Sequence, residues 1–279
     1  MPKRSRSPFA AAVKAGIALL IVVWSLLPIT MIVLSSFKLD RDIFAVPFRL
    51  GFTPTLSNYA TLWADWGEFF GGLVNSLIVT ACATVLAVVV STFAGYAYSR
   101  NRHPVLSGSA FFLIFIRLIP PIVITLPLFP AINALRLNDT HLVLILLYAA
   151  FFVSLGTLVM RTFIDQIPVE IDEAAHIDGA SRWQILRRLI LPLSAQGMVA
   201  VAVFVIVFSW NEYLFALIFT TSRARTAPLV ISEMIGAVEG IQWGVLFAAT
   251  TIQLLPVLLF VLIAQKQLVA GLTAGSTKG

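Results

Sequence analysis

The chain has 279 residues, 59% of them hydrophobic and only 11% charged, with a formal net charge of +6. Soluble domains carry roughly 25% charged residues, so a soluble core is excluded and a polytopic all-α membrane protein is indicated. Long unbroken apolar runs exclude a β-barrel of alternating strands, and the basic residues flank those runs as topology signals rather than forming a nucleic-acid surface.

The start, MPKRSRSPF, is basic and leads into an apolar run from Ala15 to Leu34. That run is longer than a signal-peptide core and no small-residue cleavage site follows it, so it is read as a retained first span. A span needs about twenty mostly apolar residues. Six segments qualify, near 13–36, 73–98, 109–133, 141–163, 196–220 and 246–268. They are joined by a polar stretch at 37–72, short loops at 99–108 and 134–140, a long charged loop at 164–195 and a mixed one at 221–245. With the N-terminus inside, twelve Lys/Arg fall on the cytoplasmic side and six on the other, so both termini are expected in the cytoplasm. The lone cysteine, Cys82, lies in the second span and is expected to be a buried structural thiol. No intrachain disulfide is possible, and no Cys/His spacing suits a metal. His103, His141 and His176 are dispersed, and none is assigned to catalysis or metal binding.

Span three contains Arg117 and the prolines Pro120, Pro121, Pro127 and Pro130. A charge near the bilayer centre costs about 2.5–3.5 kcal/mol on insertion scales. Arg117 is therefore expected to face protein or water, or else to snorkel to the headgroups. Interior prolines favour kinks, which makes this span either a pathway wall or a statically kinked packing helix. Span five carries Asn211, Glu212 and Tyr213. Arg117, Pro120, Pro121, Asn211, Glu212 and Tyr213 are the candidate pathway residues, and the sequence leaves open whether Arg117 and Glu212 pair.

The charged loop reads IDQIPVEIDEAAHIDGASRWQILRRLILPLSAQG. Pro168 suits the first turn of a helix, and Glu170, Asp172 and Glu173 suit its dipole. Ala174, Ala175 and Ile177 give it a small apolar face. Gly179 can adopt positive φ and turn the chain. Ser181 can cap a second short helix, whose C-terminal end carries Arg187 and Arg188. The loop is thus expected to be two short helices joined at Gly179. Their small residues would meet either another protein or the lipid headgroups.

The order Glu173-Ala174-Ala175, three residues, Gly179, nine residues, then Leu189-Ile190-Leu191-Pro192 resembles the EAA loop of binding-protein-dependent ABC importer permeases. Leu189 stands where the family pattern has Ile. NSLIVT at 75–80, RLIPPIVITLPLF at 117–129, SWNEYLFALIF at 209–219 and GLTAGSTKG at 271–279 resemble the smaller (MalG-like) permease of maltose-type carbohydrate transporters. The resemblance implies a type I ABC importer permease fold with six transmembrane helices. It divides the chain into an N-terminal segment, first helix and external loop (1–72), a permease core holding the EAA loop (73–268) and a cytoplasmic tail (269–279).

The resemblance also implies function. The chain would move a sugar, sugar alcohol or sugar derivative from an external binding protein to the cytoplasm, as a non-catalytic subunit in the bacterial inner membrane. Its partners would be a second homologous permease and two copies of a cytoplasmic ATPase, which would hold the ATP and Mg; this chain would hold no cofactor and no metal. Glu173, Ala174, Ala175, Asp178, Gly179, Ala180, Leu191 and Pro192 would form the ATPase-coupling element. Gly271, Leu272, Thr273 and Gly275 would contact the ATPase, where composition alone also fits a frayed terminus. No GxxxxGK[ST] phosphate loop occurs in the chain, so ATP chemistry is assigned to other subunits. A membrane-embedded enzyme would need convergent catalytic groups, yet no Asp falls inside a span and His141 sits only at an edge. An ATP-independent secondary transporter could use Arg117 and Glu212, but would leave the EAA loop without a purpose.

Overall fold

The computed structural model describes residues 8–47, 51–101, 103–237 and 240–274; side chains are described from 12 to 265, apart from 107. Among these residues all regular structure is helical. In chain order the helices are α1 (Pro8–Ser36), α2 (Asp40–Ile43), α3 (Ser57–Asp65), α4 (Glu68–Arg100), α5 (Pro104–Phe115) with a 3₁₀ turn at Ile116–Leu118, and α6 (Pro121–Ala134). Then follow α7 (His141–Ile164), α8 (Val169–Ile177), α9 (Arg182–Ile185), a π-turn at Leu186–Ile190, α10 (Leu191–Leu193), α11 (Ala195–Trp210), α12 (Leu214–Phe219), α13 (Ala227–Ile235) and α14 (Trp243–Ala274). Four of the described helices are long and apolar enough to cross a bilayer by themselves: α1, α4, α7 and α14. Two bent pairs, Pro104–Leu118 with Pro121–Ala134 and Arg182–Leu193 with Ala195–Trp210, bring the number to as many as six if each is one span; the second pair begins in the charged loop and ends at Trp210, short of the end of the expected fifth span at 196–220.

The bends correct the expected spans three and five. Span three is broken rather than kinked: α5 with its 3₁₀ turn meets α6 at 97°. The cause is local. Ile119, which precedes a proline, is extended (φ −79°, ψ 121°), as the Pro120 ring requires. Pro120 is extended in turn, and Pro121 starts the next helix at a position that needs no N–H. Pro127 and Pro130 lie inside α6 without ending it. In span five, helix stops at Trp210, breaks over Asn211–Tyr213 and restarts as α12, while a 72° bend lies at Ser194, between α10 and α11. The polar stretch at 37–72 contains the helices α2 and α3 and the mixed loop at 221–245 contains α13, and helix α14 continues to Ala274, into the expected tail.

The chain forms two compact units, 1–67 with 231–254, and 68–230 with 255–279. In the first, the α1 side chains are mostly exposed until Ser36 and Lys38, which are buried. Buried Asn58 on α3 donates from Nδ2 to the carbonyls of Ser36 and Lys38, both at 2.8 Å. The Asp40 carboxylate accepts the N–H groups of Trp243 (3.2 Å) and Gly244 (2.8 Å), satisfying orphan donors at the start of α14. Gly244 is needed there, since a Cβ would lie 2.6 Å from Asn58 Oδ1.

In the second unit α4, α7 and α11 pack closely. The buried stripe of α4 is largely small or hydroxylated: Gly72, Ser76, Thr80, Ala83, Thr84, Ala87, Ser91, Thr92 and Gly95. Lipid is as apolar as a protein interior, so small residues rather than large apolar ones mark the packed face of a membrane helix. This overturns the expectation for Cys82, which is exposed. It lies off the small-residue stripe, beside exposed Ile78 and Val85. A Cβ on Gly95 would sit 2.7 Å from Met160 Cβ, and one on Gly156 would overlap Ser91 Oγ and come within 3.0 Å of Val201. Phe163 fills the notch at Gly197, completing contacts that couple α7 to both neighbours.

Candidate functional site

The EAA segment occupies α8 and its C-terminal turn. Pro168 precedes the helix as its N-cap, and Glu170 and Asp172 lie in its first turn, as their charge favours. The helix ends in a Schellman closure. Gly179 adopts φ +83°, its N–H bonds to His176 O at 3.0 Å, and Ala180 N–H reaches back to Ala175 O at 2.9 Å. Ser181 then caps α9 through a reciprocal box, with Ser181 N–H to Gln184 Oε1 at 2.7 Å and Gln184 N–H to Ser181 Oγ at 3.3 Å.

The second helix does not stop at Arg187 and Arg188, as the sequence suggested. It widens into the π-turn, where Leu191 N–H bonds to Leu186 O, and runs on through α10. Pro192 explains the widening. Its ring would clash with the carbonyl four residues back and it has no N–H to offer, so a looser turn accommodates it.

The two alanines do not share a face. Ala175, like Ile171 and Ala180, packs against the core cluster that includes Met160, Ile164, Ile185 and Ile190. Ala174 points outward with Glu173, His176 and Asp178, next to an Ile177 that is 86% exposed. The helix is therefore anchored by one face and offers the other, a small apolar patch ringed by carboxylates. Pro192 is exposed and Leu191 half-buried, further along the same loop. Gly271, Leu272 and Thr273 have helical backbone at the end of α14, while Gly275 lies outside the described residues.

The candidate pathway residues fall into two places. Arg117 sits in the 3₁₀ turn and faces protein: its Nη1 donates to Phe151 O and Ser154 Oγ, each at 3.4 Å, and its guanidinium lies 5.2 Å from the centre of the Phe151 ring. It lines a cavity of about 150 Å³ with Ile124, Leu147, Phe151, Ser154 and Phe215. Pro120 and Pro121 create the break next to that turn. Asn211, Glu212 and Tyr213 instead form the break between α11 and α12. Asn211 Nδ2 bonds to Val207 O at 2.7 Å, closing α11. The Glu212 carboxylate accepts Phe215 N–H at 2.9 Å and Ala216 N–H at 3.3 Å, at the N-terminus of α12 where negative charge is favoured.

Arg117 and Glu212 thus do not pair with each other. Between them, Phe151 beside the Arg117 guanidinium meets Phe215, whose N–H bonds to Glu212, edge to face with ring centres 6.2 Å apart. Sequence reasoning missed Asp139, which ties the α6–α7 connection to the segment after α12. Its signal, one acidic residue in a short turn, is too common to read.

A family profile described as "Binding-protein-dependent transport system inner membrane component" matches residues 87–273, a stretch that runs from the second half of α4 through α8 to the end of α14. The chain is 35% identical to the trehalose/maltose transport system permease protein MalG of Thermococcus litoralis over 264 residues, 94% of this chain and 95% of that protein. It is also 35% identical to the trehalose transport system permease protein SugB of Mycobacterium tuberculosis, over 93% of this chain and 95% of that one. Its fold resembles a chain in the crystal structure of a bacterial ABC transporter involved in the import of alginate, with a TM-score of 0.77, 22% identity and coverage of 95% and 99%.

Proposed function

The chain belongs to the family of binding-protein-dependent transport system inner membrane components, and from that premise we propose that it passes a carbohydrate across the bilayer as one permease subunit of an ABC importer. Support for a carbohydrate comes from the relatives named for trehalose and maltose. In this reading a second permease completes the pathway and an external binding protein delivers the sugar. Two ATPase subunits dock from the cytoplasm and hold ATP and Mg. Both termini lie in the cytoplasm, and Gly271, Leu272, Thr273 and Gly275 touch the ATPases.

The observation that carries the coupling role is the two-faced α8. Ala175 and Ala180 fix the helix to the core, and Glu173, Ala174, Ile177 and Asp178 stand free on the other side. A helix resting on lipid headgroups would be expected to show basic residues on its polar face; here that face is acidic. Gly179 sets the turn, and Leu191 and Pro192 lead the motion into α11. Around Arg117 the cavity wall joins a cation, a hydroxyl and aromatic rings, chemistry suited to hydrogen-bonding and stacking on a sugar.

The test is to purify the tagged chain from cells that also express the neighbouring transport subunits. Ala174→Arg should leave the chain in the membrane but lose the ATPase subunits and MgATP-driven uptake. Ala175→Arg should destabilise the chain itself. Sugar uptake by the purified chain without ATP or an ATPase would refute the reading.

A further inference from the structure

Arg100, the last residue of α4, has a fully engaged guanidinium. Its Nε donates to Asp172 Oδ2 at 2.8 Å and Nη2 donates to Oδ1 at 3.4 Å. Nη2 also donates to Ile167 O at 3.1 Å, and Nη1 donates to Ser99 Oγ at 3.1 Å and Ile164 O at 3.4 Å. Tyr96, one turn earlier, donates its hydroxyl to the same Asp172 oxygen at 3.4 Å. The paired side chains are only 10% and 13% exposed. Ile164 ends α7 with a carbonyl that also accepts the Ile167 N–H at 3.0 Å, Ile167 lies in the linker, and Asp172 lies in the first turn of α8. One side chain therefore fastens the end of α7, the linker and α8 to the end of α4.

A second fastening lies two turns back along the same helix. Phe93 of α4 stacks on Trp183 of α9, with ring centres 5.9 Å apart and planes within 5°. Both short helices of the loop are thus held by α4, which is itself wedged against α7 at Gly95 and Gly156. A buried ion pair is weak evidence for stability, because desolvation offsets its Coulomb energy. What its bidentate, multiply bonded geometry does supply is a single fixed arrangement.

We propose that the Arg100–Asp172 pair is a strut that makes α8 and α4 move as one body. Displacement of α8 by an attached ATPase then reaches the membrane helices instead of being absorbed by the linker at 165–168. The proposal rests on the coupling role argued above and identifies Arg100 and Asp172 as positioning residues, since their side chains are turned inward from the docking face.

The experiment uses the assembled complex in lipid nanodiscs, with the exposed native thiol removed by Cys82→Ser. Spin labels are placed at Val169→Cys on α8 and Val89→Cys on α4, both exposed and outside the proposed docking residues. In the parent complex the label–label distance should be narrow and unchanged when Mg²⁺ and a non-hydrolysable ATP analogue are added. In Asp172→Ala and Arg100→Ala the distribution should roughly double in width, as local opening of a released segment predicts, and shift with nucleotide. Asp172→Glu should restore much of the narrow distribution, and the double alanine variant should be no worse than the worse single.

ATPase copurification is measured on every sample. A distribution as narrow in the alanine variants as in the parent overturns the strut. So does loss of ATPase binding in those variants, which would make the pair a shape-keeper for docking. Failure of the parent complex to retain any ATPase would instead defeat the underlying coupling role, before a variant is made.

Discussion

Removing the Asp139 carboxylate should release the segment at 221–224. Asp139 sits at φ +58° in the connection between α6 and α7. Its Oδ1 accepts the N–H groups of Thr221 (3.1 Å), Ser222 (3.1 Å), Arg223 (3.0 Å) and Ala224 (3.2 Å), while Oδ2 accepts the Ser222 hydroxyl at 2.8 Å. Hydrogen bonds to a charged group contribute about 1.5–3 kcal/mol each when shielded. This nest is open to water that replaces part of each bond, so its whole contribution is on the order of 3 kcal/mol. Alanine adds a further cost of about 1 kcal/mol for the left-handed backbone. Asp139→Gly removes only the carboxylate, and Asp139→Asn keeps one acceptor oxygen and tolerates the backbone, so losses should run Ala, Gly, Asn in descending order.

Amide hydrogen exchange at 221–224 reads this directly. A loss of about 3 kcal/mol corresponds to exchange faster by roughly 150-fold in the glycine variant, through local opening. The pH dependence has a definite sign. Desolvation pushes the carboxyl up, but the N–H groups of Arg223, Thr221 and Ser222 and the Ser222 hydroxyl outweigh it, and the group titrates well below its ordinary value of 3.8. The folded value is depressed, so the stabilisation is complete above the ordinary value and fades only as the pH falls below it. Protection corrected for intrinsic exchange should therefore be flat from about pH 5 to 8. Unchanged protection at 221–224 in the alanine variant would refute the reasoning.

Two further outcomes follow from glycine positions. Gly95→Ala brings a Cβ within 2.7 Å of Met160 Cβ and 2.9 Å of the Arg161 backbone nitrogen. It should destabilise the α4–α7 packing by about 1–3 kcal/mol. Gly71→Ala, with nothing within 4 Å, should be neutral or slightly stabilising; equal melting temperatures for the two purified variants would contradict this. At Gly179 space is open but φ is +83°, so only backbone strain penalises substitution. Gly179→Asn should keep ATPase copurification, whereas Gly179→Val, strained by about 1–2 kcal/mol, should lose it while still inserting in the membrane.

The coupling loop was legible because its determinants are local. Proline before a helix, acids in a first turn, glycine at a left-handed C-terminus and Ser181 with Gln184 as a capping box each depend on neighbours within five residues. The same locality explains the break at Ile119–Pro120, where consecutive prolines suggest a kink and the extended ψ of both residues makes a full break. Hydrophobicity misplaces Cys82, because in lipid the packed face of α4 is marked by its small residues and not by its apolar ones. Ala174 and Ala175 were read as one face because both are small; the packing of Ile171, Ala175 and Ala180 against a common core separates them.

The sequence by itself determined an all-α membrane chain, its six hydrophobic segments and the two short helices of the loop, since hydrophobic length and backbone caps are set within a segment. Only the tertiary structure decided that Arg100 grips Asp172 across 72 positions, that Arg117 bonds to Phe151 and Ser154 of α7 rather than to Glu212, and that Asp139 holds a segment more than eighty residues away. Charged side chains choose partners by distance and burial, and those exist only once the helices have packed.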